Sequence, residues 1–295
     1  DAQESRGLGD VYKRQIVNNG NYPANTDLKD IFQPLTSTTL GTVTNYIVKS
    51  PIWVQSTQIM NFICIASDST GNILSTVSEN GSIYTTNNRG VNWTQITNLS
   101  VTNLRCIASS SDGLRVAVAG SGLQYIYTGI NNGSGTWTWT THTSVPSDLD
   151  WISIACSSDG TKVAATPQGN NIYTGFDNNG TWTWTPQLSS PTLTWSSIAS
   201  SSDGAKLAAT ANGGSIYTSD DSGVTWTQQS SAPTAGWVSI ASSSDGNKLA
   251  AAIVNGSIYT GIYSSGIWTW SITSAPTPQW ISIASSSDGN KLAAA

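Results

Sequence analysis

Trp195-Ser-Ser-Ile-Ala-Ser-Ser-Ser-Asp203-Gly204-Ala-Lys206-Leu-Ala-Ala-Thr210 decides how this chain folds. From Trp195 to Ser200 large or apolar residues alternate with small polar ones, the period of a half-buried β-strand. Asp203-Gly204 then supplies the positive backbone angles of a tight hairpin turn. Lys206 to Thr210 reads as the returning strand. Downstream, Asn212-Gly213-Gly214 turns the chain again and Ser215-Ile-Tyr-Thr218 is a third strand. Ser219-Asp-Asp-Ser-Gly-Val-Thr-Trp226 leads into a fourth, Thr225-Trp-Thr227.

The same order recurs along the chain. Its anchors are Ile65-Ala66, Ile107-Ala108, Ile154-Ala155, Ile198-Ala199, Ile240-Ala241 and Ile283-Ala284, separated by 42, 47, 44, 42 and 43 residues. Asp112-Gly113, Asp159-Gly160, Asp245-Gly246 and Asp288-Gly289 hold the first hairpin, and Ile83-Tyr84-Thr85, Ile126-Tyr127-Thr128, Ile172-Tyr173-Thr174 and Ile258-Tyr259-Thr260 the third strand. A period in the forties with four strands per unit is the signature of a β-propeller. The expected fold is therefore all-β, with five complete four-stranded antiparallel blades and a partial sixth. Trp93, Trp137, Trp182 and Trp268 are expected to open the fourth strands. Trp137-Thr-Trp139, Trp182-Thr-Trp184 and Trp268-Thr-Trp270 put two indoles on one strand face. Their recurrence points to packing between blades; an aromatic platform for sugar rings is the competing reading.

Ser219-x-Asp221-x-Gly223-x-Thr225-Trp226 resembles the Asp-box, or BNR repeat, of sialidase-like propellers, with a near match at Thr86-x-Asn88-x-Gly90-x-x-Trp93. The resemblance covers about residues 60–295. It implies a folding device: in that family the carboxylate caps the turn and the Trp packs between sheets, away from the active site. The Ser-Ser-Asp-Gly-x-Lys-Leu-Ala hairpin is also similar to those of photosystem II assembly-factor-like propellers.

Sialidases clamp a substrate carboxylate with three arginines, and use a Tyr paired with Glu plus an Asp acid. The guanidinium fork fits a carboxylate, and the oxocarbenium-like transition state needs both a nucleophile and an acid. Here the repeats offer Arg89, Arg105 and Arg115. Arg115 fills a framework slot taken elsewhere by Lys162, Lys206, Lys248 and Lys291, and Arg89 sits inside a turn. Arg105 alone is left for function, and Glu79 is the sole glutamate of the repeats. With no three-arginine pocket, the resemblance implies the fold rather than the activity. The alternative is a glycoside-hydrolase fragment whose catalytic residues lie elsewhere, or an assembly-factor-like chaperone.

A propeller binds through the loops that join blades and those between second and third strands. In this chain Pro186–Thr194, Gln228–Gly236 and Ser271–Gln279 are mostly Ser, Thr, Asn, Gln, Gly and Pro. The exception is Thr141 to Asp150, which holds the one histidine, His142, with Asp148 and Asp150. A metal or acid–base role is one reading of that trio, and a solvated loop between blades is the other. The candidate binding residues are thus His142, Asp148, Asp150, Arg105 and Glu79. The candidate structural turn residues are Ser219, Asp221, Gly223, Thr225 and Trp226, with Asn88, Gly90 and Trp93. No catalytic residue, metal set or cofactor is assigned, and the expected partner is a protein or a glycan.

A net charge of −5 argues against nucleic-acid binding driven by phosphate neutralisation. No apolar run approaches membrane-spanning length, and the Ser, Thr, Asn and Gly content leans towards an extracellular or surface protein. Cys64 and Cys106 fall where later blades carry Ser153, Ser197, Ser239 and Ser282, and Cys156 also replaces a serine, so thiols rather than disulfides are expected.

Residues 5–15, Ser-Arg-Gly-Leu-Gly-Asp-Val-Tyr-Lys-Arg-Gln, resemble one reading frame of a transposase sequencing adapter without a mismatch. Residues 1–15 are therefore read as non-native, on a metagenomic fragment. Residues 16–45 lack the blade pattern and read as a linker or stalk, leaving 46–295 as the propeller. Residues 46–55, with Trp53, offer a third and fourth strand to the partial sixth blade. The expectation is six blades if the ring closes this way, or a fragment of seven.

Overall fold

The computed structural model describes residues 61–295 apart from residues 79, 123 and 124. The readings of 1–15, 16–45 and 46–55, and Glu79, lie outside the described residues. What is described is an all-β propeller. The first blade comprises β1 (Phe62–Ser67), β2 (Leu74–Ser78), β3 (Ile83–Thr86) and β4 (Thr94–Ile96). The second comprises β5 (Leu104–Ser109), β6 (Arg115–Gly120), β7 (Tyr127–Asn131) and β8 (Trp137–Thr141). The third comprises β9 (Trp151–Cys156), β10 (Lys162–Asn170), β11 (Tyr173–Asn178) and β12 (Thr181–Pro186). The fourth comprises β13 (Leu193–Ser200), β14 (Leu207–Gly214), β15 (Ile216–Ser219) and β16 (Thr227–Gln228). The fifth comprises β17 (Ala235–Ser242), β18 (Lys248–Ile253), β19 (Ile258–Ser264) and β20 (Ile267–Ile272). The hairpin β21 (Ile283–Ser285) and β22 (Leu292–Ala294) starts a sixth. Within every blade each strand pairs antiparallel with the next.

The apolar cores lie between blades, not within them. Each of five buried clusters joins one blade to its successor. At the junction of the fourth and fifth blades, Ala199 and Ala208 face Trp237, Ile240 and Leu249. One junction earlier, Ala155 and Ala164 face Trp195, Ile198 and Leu207. That division explains the recurring Ile-Ala pair. Adjacent strand residues point to opposite faces, so Ile packs on the preceding blade while Ala leaves room for the bulk of the following one.

Polar bonds run along the same path. The backbone N–H of Ser69 donates to Ser111 O at 2.8 Å, and Ser111, Ser158, Ser202 and Ser244 each donate to the next hairpin, ending at Ser287 O, at 2.7 Å. On the inner strands, Ser153, Ser197 and Ser239 Oγ accept the N–H of Ile198, Ile240 and Ile283 at 3.1, 3.2 and 3.1 Å. The thiol of Cys64, in the first blade, reaches Ile107 O of the second. Cys64, Cys106 and Cys156 form no disulfide.

Two local expectations change. Asn212-Gly213-Gly214 belongs to β14, because Asn212 and Gly214 pair with Gly236 and Ala235 of the next blade. Gln168 and Asn170 pair with Thr194 and Leu193 in the same way, so blade-to-blade pairing extends both strands past their turns. The fourth-strand tryptophans also need realignment. Trp139, Trp184 and Trp270 lie opposite Gly129, Gly175 and Gly261, and Trp226 takes the corresponding place in the fourth blade. Trp137, Trp182 and Trp268 are an extra, preceding position. A β-carbon at Gly175 would lie 2.5 Å from the Trp184 ring. Glycine there lets the indole lie flat across the strand, and blades without that glycine have Thr86 or Ser219 and a turn closed by its own side chains instead.

Candidate functional site

Each complete blade has a β-bulge near the start of its inner strand. The pairing register slips between Phe62 and Cys64, Leu104 and Cys106, Trp195 and Ser197, and Trp237 and Ser239, and the partner of β9 shows the same slip. The extra residues are Ile63, Arg105, Ile152, Ser196 and Val238. A bulge takes its residue out of the ladder and re-aims the side chain. Of the five, only Arg105 is charged. It is exposed, and no hydrogen bond or ion pair engages its guanidinium among the described residues.

The backbone beside Arg105 is closely packed and hydrogen-bonded. Asn103, at φ 57°, accepts the Ser121 N–H at 3.0 Å. Gly120 lies so close to the Asn103 carbonyl that a β-carbon there would collide with it. From the third blade, Asp150 Oδ1 accepts the Gly122 N–H at 2.9 Å and its carbonyl accepts the Gln168 N–H at 2.8 Å. Asp150 is thus a strap holding loops of two blades together. Asp148 is exposed, and its charge adds to burial in raising the Tyr173 phenol above its ordinary pKa.

His142 is elsewhere. It is only 4% exposed, and its ring lies 5.1 Å from Trp182 and 5.2 Å from Trp184 of the next blade. Its Nε2 bonds Thr128 Oγ1 at 2.9 Å, and its N–H donates to Ile126 O. Gln187 and Gln229 do the same work in the third and fourth blades, bonding Thr174 and Thr218 and donating to Ile172 O and Ile216 O. His142 is therefore the imidazole version of a repeated Thr–Gln strut. Among the described residues no group of His, Cys, Asp and Glu that could hold a metal is formed, so His142, Asp148 and Asp150 make no such cluster. The signal was present in the sequence, since His142 and Gln187 each follow a Trp-Thr-Trp pair by three residues. It was obscured by Trp226, which has no tryptophan two residues before it.

The basic slot is also structural. Arg115 Nη1 donates to the buried Asp177 of the next blade at 2.8 Å, and Asp177 in turn caps the Gly180 N–H at 2.6 Å. Lys162 reaches Ser222 at 3.5 Å, Lys206 reaches Asn247, and Lys248 reaches Asn290 at 2.6 Å. Every one of these cations crosses a junction.

The Ser219–Trp226 turn closes on Asp221. Its Oδ1 accepts the Thr225 N–H at 2.8 Å, and its Oδ2 accepts the Thr225 hydroxyl at 2.7 Å. Ser219 donates to Asp221 at 2.8 Å and accepts the Gly223 N–H at 2.9 Å. Burial works against the charge on Asp221, but the bonds from Thr225 and Ser219 outweigh it and hold the carboxyl below its ordinary pKa. Trp226 is buried between the third and fourth blades. Thr86 and Asn88 repeat the geometry in the first blade, where Asn88 accepts the Asn92 N–H at 3.0 Å and Thr86 the Gly90 N–H at 3.3 Å, with Trp93 packed 5.6 Å from Phe62. Asp221→Ala is expected to cost about 1 kcal/mol, the worth of an exposed charge-assisted turn, read as a lowered urea midpoint with ligand binding unchanged.

No family model matches the chain, and no curated protein matches its sequence. Among solved structures, the β-propeller domain of Myceliophteria thermophila Cps50 (Swd1) aligns over 81% of this chain and 96% of its own, at 12% identity and a TM-score of 0.46. The propeller assignment rests on the sheet order and the junction cores. Among the described residues no helix is long and apolar enough to cross a membrane.

Proposed function

We propose that this chain is a non-catalytic binding module that holds a protein or glycan partner at the rim around Arg105. The supporting observation is Arg105 itself, a bulged, exposed cation on a hydrogen-bonded support, with no partner of its own among the described residues. A guanidinium so placed suits a carboxylate on the ligand, which it grips through two parallel hydrogen bonds. The Ser219–Trp226 turn supports grouping the chain with the Asp-box propellers, where that turn serves folding. A sialidase-like reading needs three converging arginines, but Arg115 is committed to Asp177. An assembly-factor reading needs a free basic surface, whereas Lys162, Lys206 and Lys248 are laid across junctions.

The test is an array of sialylated, uronate-bearing and neutral glycans alongside acidic peptides. Wild-type protein is expected to retain a subset of the acidic ligands, and Arg105→Glu to lose them by roughly tenfold or more, as expected for truncating a charge-assisted contact. Equal retention by both proteins, or hydrolysis of the arrayed glycans, overturns the proposal.

A further inference from the structure

A second feature lies on the outer part of the junction between the third and fourth blades, away from Arg105. At three other junctions the following blade contributes an indole: Trp137, Trp182 and Trp268, each packed into the cluster it shares with the preceding blade. In the fourth blade the same position is Val224, two residues before Trp226, and it is 60% exposed. A cavity of about 590 Å³ opens there, lined by Lys162, Thr174, Phe176, Thr183, Thr185 and Val224 among others. The equivalent space one junction on, which holds Trp268 and Tyr263, measures about 120 Å³.

The cation beside the cavity differs in the same sense. Lys206 Nζ lies 4.9 Å from the centroid of the Tyr263 ring, a cation–π contact across the fourth and fifth blades. Lys162 is its counterpart one blade earlier, and there Ser222, whose N–H donates to Ala205 O as that of Tyr263 does to Asn247 O, stands in place of Tyr263. Among the described residues Lys162 Nζ makes the 3.5 Å bond to Ser222, and its charge helps to lower the Asp203 pKa. This junction thus lacks both rings found at the next, while retaining the threonine wall and the lysine. Phe176, 49% exposed, adds an apolar side.

We infer that this cavity is a binding site for a planar aromatic ring of indole type, the group the chain itself seats at the sibling junctions. Its size falls in the range of small-ligand pockets, and its apolar walls with a few polar groups suit such a ring. The ring would lie against Phe176 and Val224 with its face towards Lys162. The source is either a small indole or a tryptophan side chain on a partner polypeptide.

Fluorine NMR separates these cases without interference from the native tryptophans. 5-Fluoroindole and N-acetyl-5-fluorotryptophan amide are each titrated with the full chain. Wild-type protein is expected to broaden and shift at least one resonance at roughly millimolar ligand, the affinity a fragment of this size reaches. Stronger binding of the amide identifies a tryptophan side chain, and stronger binding of 5-fluoroindole a small molecule. Val224→Trp fills the cavity from the fourth blade and is expected to abolish the effect. Thr183→Trp does so from the third blade, covering the case where Val224→Trp disturbs its turn. Lys162→Met is expected to weaken binding severalfold. No broadening by the wild type with either probe, or undiminished broadening by a filled variant with wild-type circular dichroism, overturns the inference.

Discussion

Trp195→Ala is expected to lower stability by roughly 3–5 kcal/mol, the cost of emptying a large aromatic site in a packed core. Trp195 is 1% exposed and stands at the start of the fourth blade's inner strand. Its ring meets Tyr217 edge-on at 5.5 Å. Its Nε1 donates to Asn170 O of the third blade at 2.9 Å. Removing the indole therefore takes away area buried from water, an aromatic pair, and a hydrogen bond that crosses the junction. The carbonyl of Asn170 would then face an apolar void. Trp195→Phe keeps the edge-on ring but not the donor, and is expected to recover more than half of the loss. Equilibrium urea unfolding checks both variants. A loss below about 1 kcal/mol for the alanine variant would mean that the ring does not hold two blades together.

The size of that effect follows from where this molecule keeps its core, and the same fact explains what the sequence revealed. Features that repeat are legible, because each blade states them again. The Ile-Ala pair, the Asp-Gly turn and the third-strand Tyr-Thr all marked strands and period, and the structure assigns each a place in a junction or a hairpin. The first blade shows how robust the turn is: Asp68 and Thr70 exchange the roles that Ser110 and Asp112 play later, with Asp68 accepting the Ile73 N–H at 3.0 Å. Features that depend on which residue comes opposite from another blade are not legible. Nothing local says that Arg115 will find Asp177, 62 positions away. Nothing local says that an inner strand will bulge at Arg105, since the bulge is defined by the register of its partner. In sequence His142 is a solitary histidine near two aspartates, whereas register makes it the equivalent of a glutamine. The cavity beside Val224 is also a junction property, visible only when the fourth-strand tryptophans are aligned by pairing rather than by order.

His142 makes this junction sensitive to acid in a window of its own. Burial between Trp182, Trp184 and Thr128 disfavours the imidazolium, and the nearby Asp177 carboxylate offsets this only in part, so the pKa falls from 6.5 to about 4. The native state therefore resists a proton that the unfolded chain accepts. The contribution is fully present above pH 6.5 and is lost as pH falls towards about 4, where the native ring also titrates. A shift of this size bounds the loss at ~3 kcal/mol, and residual screening brings it nearer ~2 kcal/mol. Asp159, Asp203, Asp221 and Asp245 act in a lower window. Their native carboxyls titrate below the ordinary 3.8, so their contribution is fully present above that value and is lost as pH falls from it through the lowered native values. His142→Gln separates the two. Glutamine already serves this strut at Gln187 and Gln229, so the variant is expected to match the wild type within about 1 kcal/mol at pH 7.5. Between pH 6.5 and 4 its stability should stay nearly level while that of the wild type declines. Urea midpoints at half-unit pH steps measure the difference. Parallel curves for the two proteins across that interval would show that the ring is charged or solvated in the native state, and the imidazole strut between the second and third blades would have to be abandoned.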